Sequence, residues 1–172
     1  STAGGTNWYP PSYSPHTGLM YVSARESGGR SGKGDPGPWI EGQRYTGNGS
    51  DRGPDRMPRR DGGRAPVNNG FRTESEGYSA IRALDPKTGE KKWDFKMVDN
   101  TESGVLSTAS DLVFGGGMEG NFVALDARTG ELLWHVNLGG PNASGPISYS
   151  VNGRQYVIGT GAGTMYAFAL PE

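Results

Sequence analysis

The sequence predicts an all-β fold, a partial β-propeller of about three four-stranded antiparallel blades, and three observations carry that expectation. Gly supplies 30 of the 172 residues, with 12 Pro beside them, and only 33% of the chain is apolar, a composition suited to short strands joined by many turns. Two segments, "IRALDPKTGEKKW" at Ile81 to Trp93 and "FVALDARTGELLW" at Phe122 to Trp134, share Ala, Leu, Asp, Thr, Gly, Glu and Trp at an offset of 41 residues. That spacing matches one propeller blade of ~40 to 45 residues. Between the repeats, apolar runs bounded by Gly and Asn read as further strands and turns.

The first blade is assigned to residues 1–97. "NWYPPSYSP" and "GLMYVSA" read as its first two strands and "YSAIRALD" as its third, with a Gly-rich insert of mixed charge over residues 25–75. That insert reads as a surface loop without a core of its own. The second blade, residues 98–140, is complete: "GVLSTAS", "DLVFGGG", "NFVALD" and "ELLWHVNL" are its four strands. The third, residues 141–172, offers a first strand, a hairpin through Asn152-Gly153 and a third strand at "GTMYAFAL", but no outer strand bearing a Trp. Three blades, the last of them incomplete, do not close a ring, since the smallest propellers need ~4; the chain is therefore expected to be part of something larger.

Turn chemistry explains the recurring residues. In "LDPKTGE" and "LDARTGE" the Asp and Thr can bond backbone groups of a tight turn, and Gly89 or Gly130 supplies a positive φ. Asp85 and Asp126 are accordingly read as structural. Trp93 and Trp134 fall four residues beyond the Gly, where a large ring can pack between adjacent blades.

Several function classes lose support. A net charge of −1 gives no bias toward nucleic acid or anionic lipid. Arg56, Arg59, Arg60 and Arg64 are interleaved with Asp51, Asp55 and Asp61, which weakens their local field and favours a solvated loop. The absence of Cys excludes disulfides and thiolate chemistry within these residues. No apolar run approaches the ~18 residues of a membrane span, and the first residues lack the basic and apolar regions of a secretory signal. For an exported protein, the signal is expected outside this sequence. His16 and His135 share no ligand spacing, and "FGGGMEGN" joins two strands rather than opening a helix, which suits a hairpin better than a phosphate loop. The glycosylation triplets Asn48-Gly49-Ser50 and Asn142-Ala143-Ser144 are of a kind frequent by chance.

The stretches "GGTNWYPPSYSPHTGLMYV", "AIRALDPKTGEKKW", "GVLSTASDLVFGGGMEGNFVALDARTGELLW" and "GPISYSVNGRQYVIGTGAG" together resemble the quinoprotein dehydrogenases. These are eight-bladed propellers that bind pyrroloquinoline quinone (PQQ), and the likeness is to the carboxyl-terminal third of their alcohol dehydrogenase branch. The resemblance implies oxidation of an alcohol or aldehyde by hydride transfer to the quinone, a Ca²⁺ or lanthanide ion, a cytochrome c or quinone as electron acceptor, and a periplasmic location. It also implies that Asn7 hydrogen-bonds the quinone side of PQQ and that Trp8 lies against the cofactor. An Asn amide suits that role because its bond to a quinone oxygen strengthens as the oxygen gains negative charge. Asn142 is expected to serve a turn, with a further PQQ contact as the alternative.

The family's catalytic Asp, metal ligands and most of its PQQ cradle belong to earlier blades, so no catalytic or metal-binding residue is assigned here. The implied partner is a companion chain or upstream segment carrying those blades, without which the chain is expected to be inactive. A different class remains open: the turn-and-Trp repeat also occurs in propellers resembling outer-membrane assembly lipoproteins, so a non-catalytic module for protein interaction or self-association is the alternative.

Overall fold

The computed structural model describes residues 4–27, 38–42 and 77–171. They divide between two compact units, one of Ser1–Gly28 with Asn69–Glu172 and the other of Gly29–Asn68. In the second unit the described residues contain a turn at Glu41 and Gly42, the glycine at φ 76°. The Arg56, Arg59, Arg60 and Arg64 cluster with its aspartates, and the triplet Asn48-Gly49-Ser50, lie outside the described residues.

The described part of the first unit contains eleven strands and no helix, arranged as three antiparallel sheets. The first sheet runs β1 (Ser12–Ser14), β2 (Leu19–Glu26), β3 (Tyr78–Leu84) and β4 (Lys91–Met97), paired in that order. The second runs β5 (Leu106–Ser107), β6 (Leu112–Gly116), β7 (Asn121–Asp126) and β8 (Leu132–Asn137). The third has β9 (Ile147–Val151), β10 (Arg154–Gly161) and β11 (Thr164–Phe168), with β10 in the middle. Four-four-three is the expected pattern.

Three boundaries differ from expectation: the strand expected over "GVLSTAS" shortens to Leu106–Ser107, and the other two lie in the first blade. Arg25 and Glu26, assigned to the start of the insert, extend β2 and pair with Ser79 and Tyr78. The strand expected over "NWYPPSYSP" shrinks to Ser12–Ser14, because Pro10 and Pro11 have no N–H to give a ladder. Asn7 and Trp8 therefore precede the inner strand instead of forming part of it.

Alternation with period two builds the main core. Tyr21, Ile81 and Ala83 are fully buried on one face of the first sheet, against Val113, Val123 and Leu125 of the second. Both repeats shift register at the same place, at Ala83/Leu84 and at Ala124/Leu125, so the repeat extends to backbone irregularity. In each turn the Asp carboxylate accepts backbone N–H bonds: Lys87 N to Asp85 Oδ1 at 2.8 Å, and Arg128 N and Thr129 N to Asp126 Oδ1, both at 2.8 Å. Those backbone bonds, Lys87 first for Asp85 and Thr129 first for Asp126, hold both carboxyls below the usual carboxylate range.

Trp93 is the bolt between the first two sheets. It is 9% exposed, its Nε1 donates to Ala127 O at 3.1 Å, and Tyr21 Oη donates to the same carbonyl at 2.9 Å. Burying such a ring is worth several kcal/mol, since Trp-to-Ala truncation in a core costs ~3 to 5 kcal/mol. Trp134 makes the equivalent contact less completely: it meets Phe122 and Phe168 edge-on at 6.4 and 5.2 Å and remains 39% exposed. Phe122, Leu138 and Val157 form a smaller core between the second and third sheets.

The entrances to the three inner strands converge. A methyl group on Gly104 would stand 2.5 Å from Pro10 Cγ and 2.9 Å from Gly145 Cα, so one residue from each blade meets at a point with no room for a side chain. Ser12 Oγ and Ser107 Oγ lie 2.6 Å apart, and Ser103 Oγ donates to Ser144 O at 2.9 Å. The blades are thus tied side by side at their inner edges.

Candidate functional site

The segment Gly5 to Pro10 leads into β1 and carries both residues singled out from the sequence. It is anchored near each end by backbone bonds: Arg25 N donates to Gly5 O at 2.7 Å, and Val105 N donates to Pro10 O at 2.9 Å. Between the anchors, Tyr9 is buried at 7% exposure while Trp8 is 73% exposed and Asn7 is exposed. The two rings lie 4.7 Å apart between centroids, inclined by 50°. Asn7 Oδ1 accepts from Trp8 N at 2.9 Å, which commits the amide oxygen locally and leaves the amide nitrogen as the donor on offer. An exposed indole beside an outward amide is a surface that can stack on a flat ring and donate to an oxygen at its rim.

Tyr9 is held by Arg25 of β2. Arg25 Nη2 donates to Tyr9 Oη at 2.7 Å and to Thr101 O at 2.9 Å, and Nε donates to Thr101 O at 3.1 Å. The guanidinium also pairs with Glu102 Oε1 at 3.2 Å and lies 5.5 Å from the centroid of the Tyr9 ring. Burial pushes the Tyr9 hydroxyl above its ordinary range, against the opposing pull of Arg25, so it is a neutral acceptor at physiological pH.

A buried polar row continues from this loop. Thr101, Ser103 and Ser79 are fully buried and hydrogen-bonded: Thr101 Oγ1 donates to Gly116 O at 2.8 Å and Thr101 N to Ser79 Oγ at 3.0 Å. Ser23 Oγ donates to Ser103 O. Asn142, at the corresponding entry to the third sheet, is 1% exposed, and neither side-chain atom has a hydrogen-bond partner among the described residues. Burial at that level rules out glycosylation of Asn142 in the folded chain.

The remaining sequence candidates lie elsewhere. Asp85 and Asp126 sit in their turns, as described above. His16 Nδ1 lies 3.8 Å from Asp111 Oδ1, and His135 is exposed on β8. Among the described residues, no three His, Cys, Asp or Glu side chains converge into a metal-holding group. A cleft of about 210 Å³ lined by Phe95, Met97, Gly117, Glu119 and His135, among others, involves no residue of the Gly5 to Pro10 segment. Sequence reading missed Tyr9 and Arg25. Nothing local marks them, because Arg25 and Tyr9 are 16 residues apart and Arg25 falls in the stretch that reads as insert.

The chain matches the family model PQQ_2, described as outer membrane protein assembly factor BamB, over residues 78–170. It is 34% identical over 171 residues to quinoprotein ethanol dehydrogenase of Pseudomonas aeruginosa, a match covering 98% of this chain and 23% of the relative. It is 32% identical over 168 residues to quinohemoprotein alcohol dehydrogenase of Comamonas testosteroni, covering 96% and 22% respectively. Among solved structures, a quinohemoprotein alcohol dehydrogenase of Pseudomonas putida superposes with a TM-score of 0.71 at 28% identity, covering 94% of this chain and 22% of that one. A europium-containing methanol dehydrogenase gives a TM-score of 0.64 at 25% identity, covering 92% and 25%. The chain thus spans about a quarter or less of the length of the relatives it matches.

Proposed function

This chain belongs to the PQQ_2 family, and on that premise we propose that it furnishes one side of the cofactor site of a PQQ-dependent alcohol dehydrogenase, with Asn7 and Trp8 facing the quinone. The observation that carries the reading is the contrast within one pinned segment. Its buried Tyr9 and its two backbone anchors hold an indole that is 73% exposed beside the exposed Asn7, a flat apolar face free to stack on a ring next to an amide free to donate to it. The likeness to quinoprotein alcohol dehydrogenases covers 98% of the chain, including this segment, which precedes the residues matched by the family model.

Bound PQQ would supply the two-electron acceptor for alcohol oxidation, a chemistry no side chain here provides. Trp8 would give the cofactor a flat apolar wall. Asn7 would donate its amide N–H to a quinone oxygen, a bond that strengthens as negative charge develops there. The base, the Ca²⁺ or lanthanide ligands and the other walls are assigned to a companion chain or upstream segment. Localisation to the periplasm, a small alcohol as substrate, and cytochrome c or a quinone as acceptor belong to the same proposal.

The competing reading is a non-catalytic repeat module for protein interaction, favoured by the family description and by exposed apolar side chains of the third sheet such as Ile147, Val151 and Met165. Reconstitution separates the two. The purified protein is incubated with PQQ and Ca²⁺, then assayed for an absorbance change and for dye reduction with primary alcohols, its mass being compared with 18.2 kDa to detect a companion. The enzyme reading predicts a PQQ absorbance change in the chain, and dye reduction only when the other blades are present. No absorbance change with the companion present would establish the module reading instead.

A further inference from the structure

We infer that Arg25 is a positioning residue that pre-forms the Asn7–Trp8 surface by clamping the segment before β1 onto the entry loop of the neighbouring blade. The inference rests on the cofactor reading only for what the surface faces; the clamp itself is a matter of geometry. Arg25 sits one residue from the end of β2, at the first blade's edge of this site, and its side chain is 10% exposed. From there it reaches three things at once. Its backbone N–H holds Gly5 O at 2.7 Å, its Nη2 holds Tyr9 Oη at 2.7 Å, and Nε and Nη2 together straddle Thr101 O at 3.1 and 2.9 Å.

Each bond has a distinct consequence. The bond to Gly5 comes from the Arg25 backbone and survives any change of its side chain, whereas the side-chain bond to Tyr9 fixes the rotamer of the ring against which Trp8 leans. The forked pair on Thr101 O carries the position of the first blade to the second, because Thr101 is itself held by Ser79 Oγ and Gly116 O. Glu102 keeps the guanidinium charge paired at 3.2 Å. A planar fork with several donors is needed: Lys has the charge but no second N–H fixed in the same plane. Between the backbone anchors at Gly5 and Pro10, the buried Tyr9 is the side chain next to Asn7 and Trp8, and Arg25 holds its hydroxyl. Without the clamp, the entropy of ordering them falls on ligand binding and weakens it.

Hydrogen–deuterium exchange of residues 4–12, read by mass spectrometry, tests the clamp directly in the whole chain. In Arg25→Leu these amides should exchange at least tenfold faster than in the native chain, with β6 and β7 unchanged. Arg25→Lys should restore only part of the protection, and Tyr9→Phe, which keeps the ring and removes one acceptor, should fall between native and Leu. PQQ titration of the same proteins, read as the shift of the Trp8 indole signal, should show at least a fivefold weaker interaction for Arg25→Leu, and Asn7→Ala should weaken binding while altering exchange only at the Trp8 amide, whose bond to Asn7 Oδ1 it removes. Unchanged exchange at 4–12 in both Arg25→Leu and Tyr9→Phe overturns the clamp. Faster exchange in Arg25→Leu, with PQQ leaving Trp8 unmoved in every protein, supports the clamp and overturns the cofactor reading on which its purpose rests. Should Arg25→Leu fail to fold, Tyr9→Phe and Arg25→Lys carry the same comparison.

Discussion

Gly89 and Gly130 hold the same place in the two repeats and the same φ of 75°, yet their surroundings differ. A methyl on Gly89 would meet nothing within 4 Å, whereas one on Gly130 would stand 2.6 Å from Trp93 Cε3. Gly89→Ala should therefore cost only the left-handed backbone penalty of ~1 to 2 kcal/mol, while Gly130→Ala should add the overpacking cost of ~1 to 3 kcal/mol. Urea unfolding of the two variants checks this; equal losses would mean that the Trp93 contact carries no packing energy. Trp93→Ala should likewise cost ~3 to 5 kcal/mol, and Trp134→Ala less, because 39% of Trp134 is already exposed. The sequence equated the two Trp residues, and the structure separates them: the repeat marks the position of a packing residue, but how fully it is covered depends on the next sheet.

At the scale of the element, the first sheet carries a charged pair on one face that alternation alone does not foretell. Arg82 of β3 forks onto Asp94 of β4 at 2.7 and 3.0 Å, with Glu26 and Lys91 joining at 2.7 and 3.0 Å. Burial pushes the Asp94 carboxyl up, but the bonds from Arg82 and Lys91 outweigh it and hold it below its usual range. A depressed carboxyl stabilises the fold above its unfolded-state pKa of ~4, and that contribution is lost as pH falls through the folded value. The urea midpoint should drop between pH 6 and pH 3, and Asp94→Asn should be less stable at pH 6 with a flatter profile. An unchanged slope in Asp94→Asn would remove Asp94 from the acid response. Strands β2 to β4 and β6 to β11 were legible because period-two alternation and Asp-Thr-Gly turns are local signals. The short β1 was overread because its serines and aromatics suggested a strand, while the missing N–H groups of Pro10 and Pro11 decided its length.

At the scale of the molecule, the three sheets form a partial propeller tied together at inner edges by Gly104, Pro10 and Gly145 and between faces by Trp93. Asn7 and Trp8 lie ahead of β1 and not on the strand expected there, whereas the blade count could be read from the chain, since it rests on a repeat. The clamp could not, because Arg25, Tyr9 and Thr101 lie 16 and 76 residues apart along the chain and meet only once two blades have packed. Asn142 reads as a turn residue from its own loop, while its burial arises where the second and third sheets meet, against Gly116. The central claim is that Trp8 faces PQQ. The indole N–H signals of the four Trp residues, with Trp8 assigned from Trp8→Phe, provide the most direct measurement. Addition of PQQ should move the Trp8 signal progressively to saturation and leave that of Trp93, bonded to Ala127 O, in place; a Trp8 signal that stays fixed while PQQ binds, or that moves no more than the Trp93 signal, would contradict the claim.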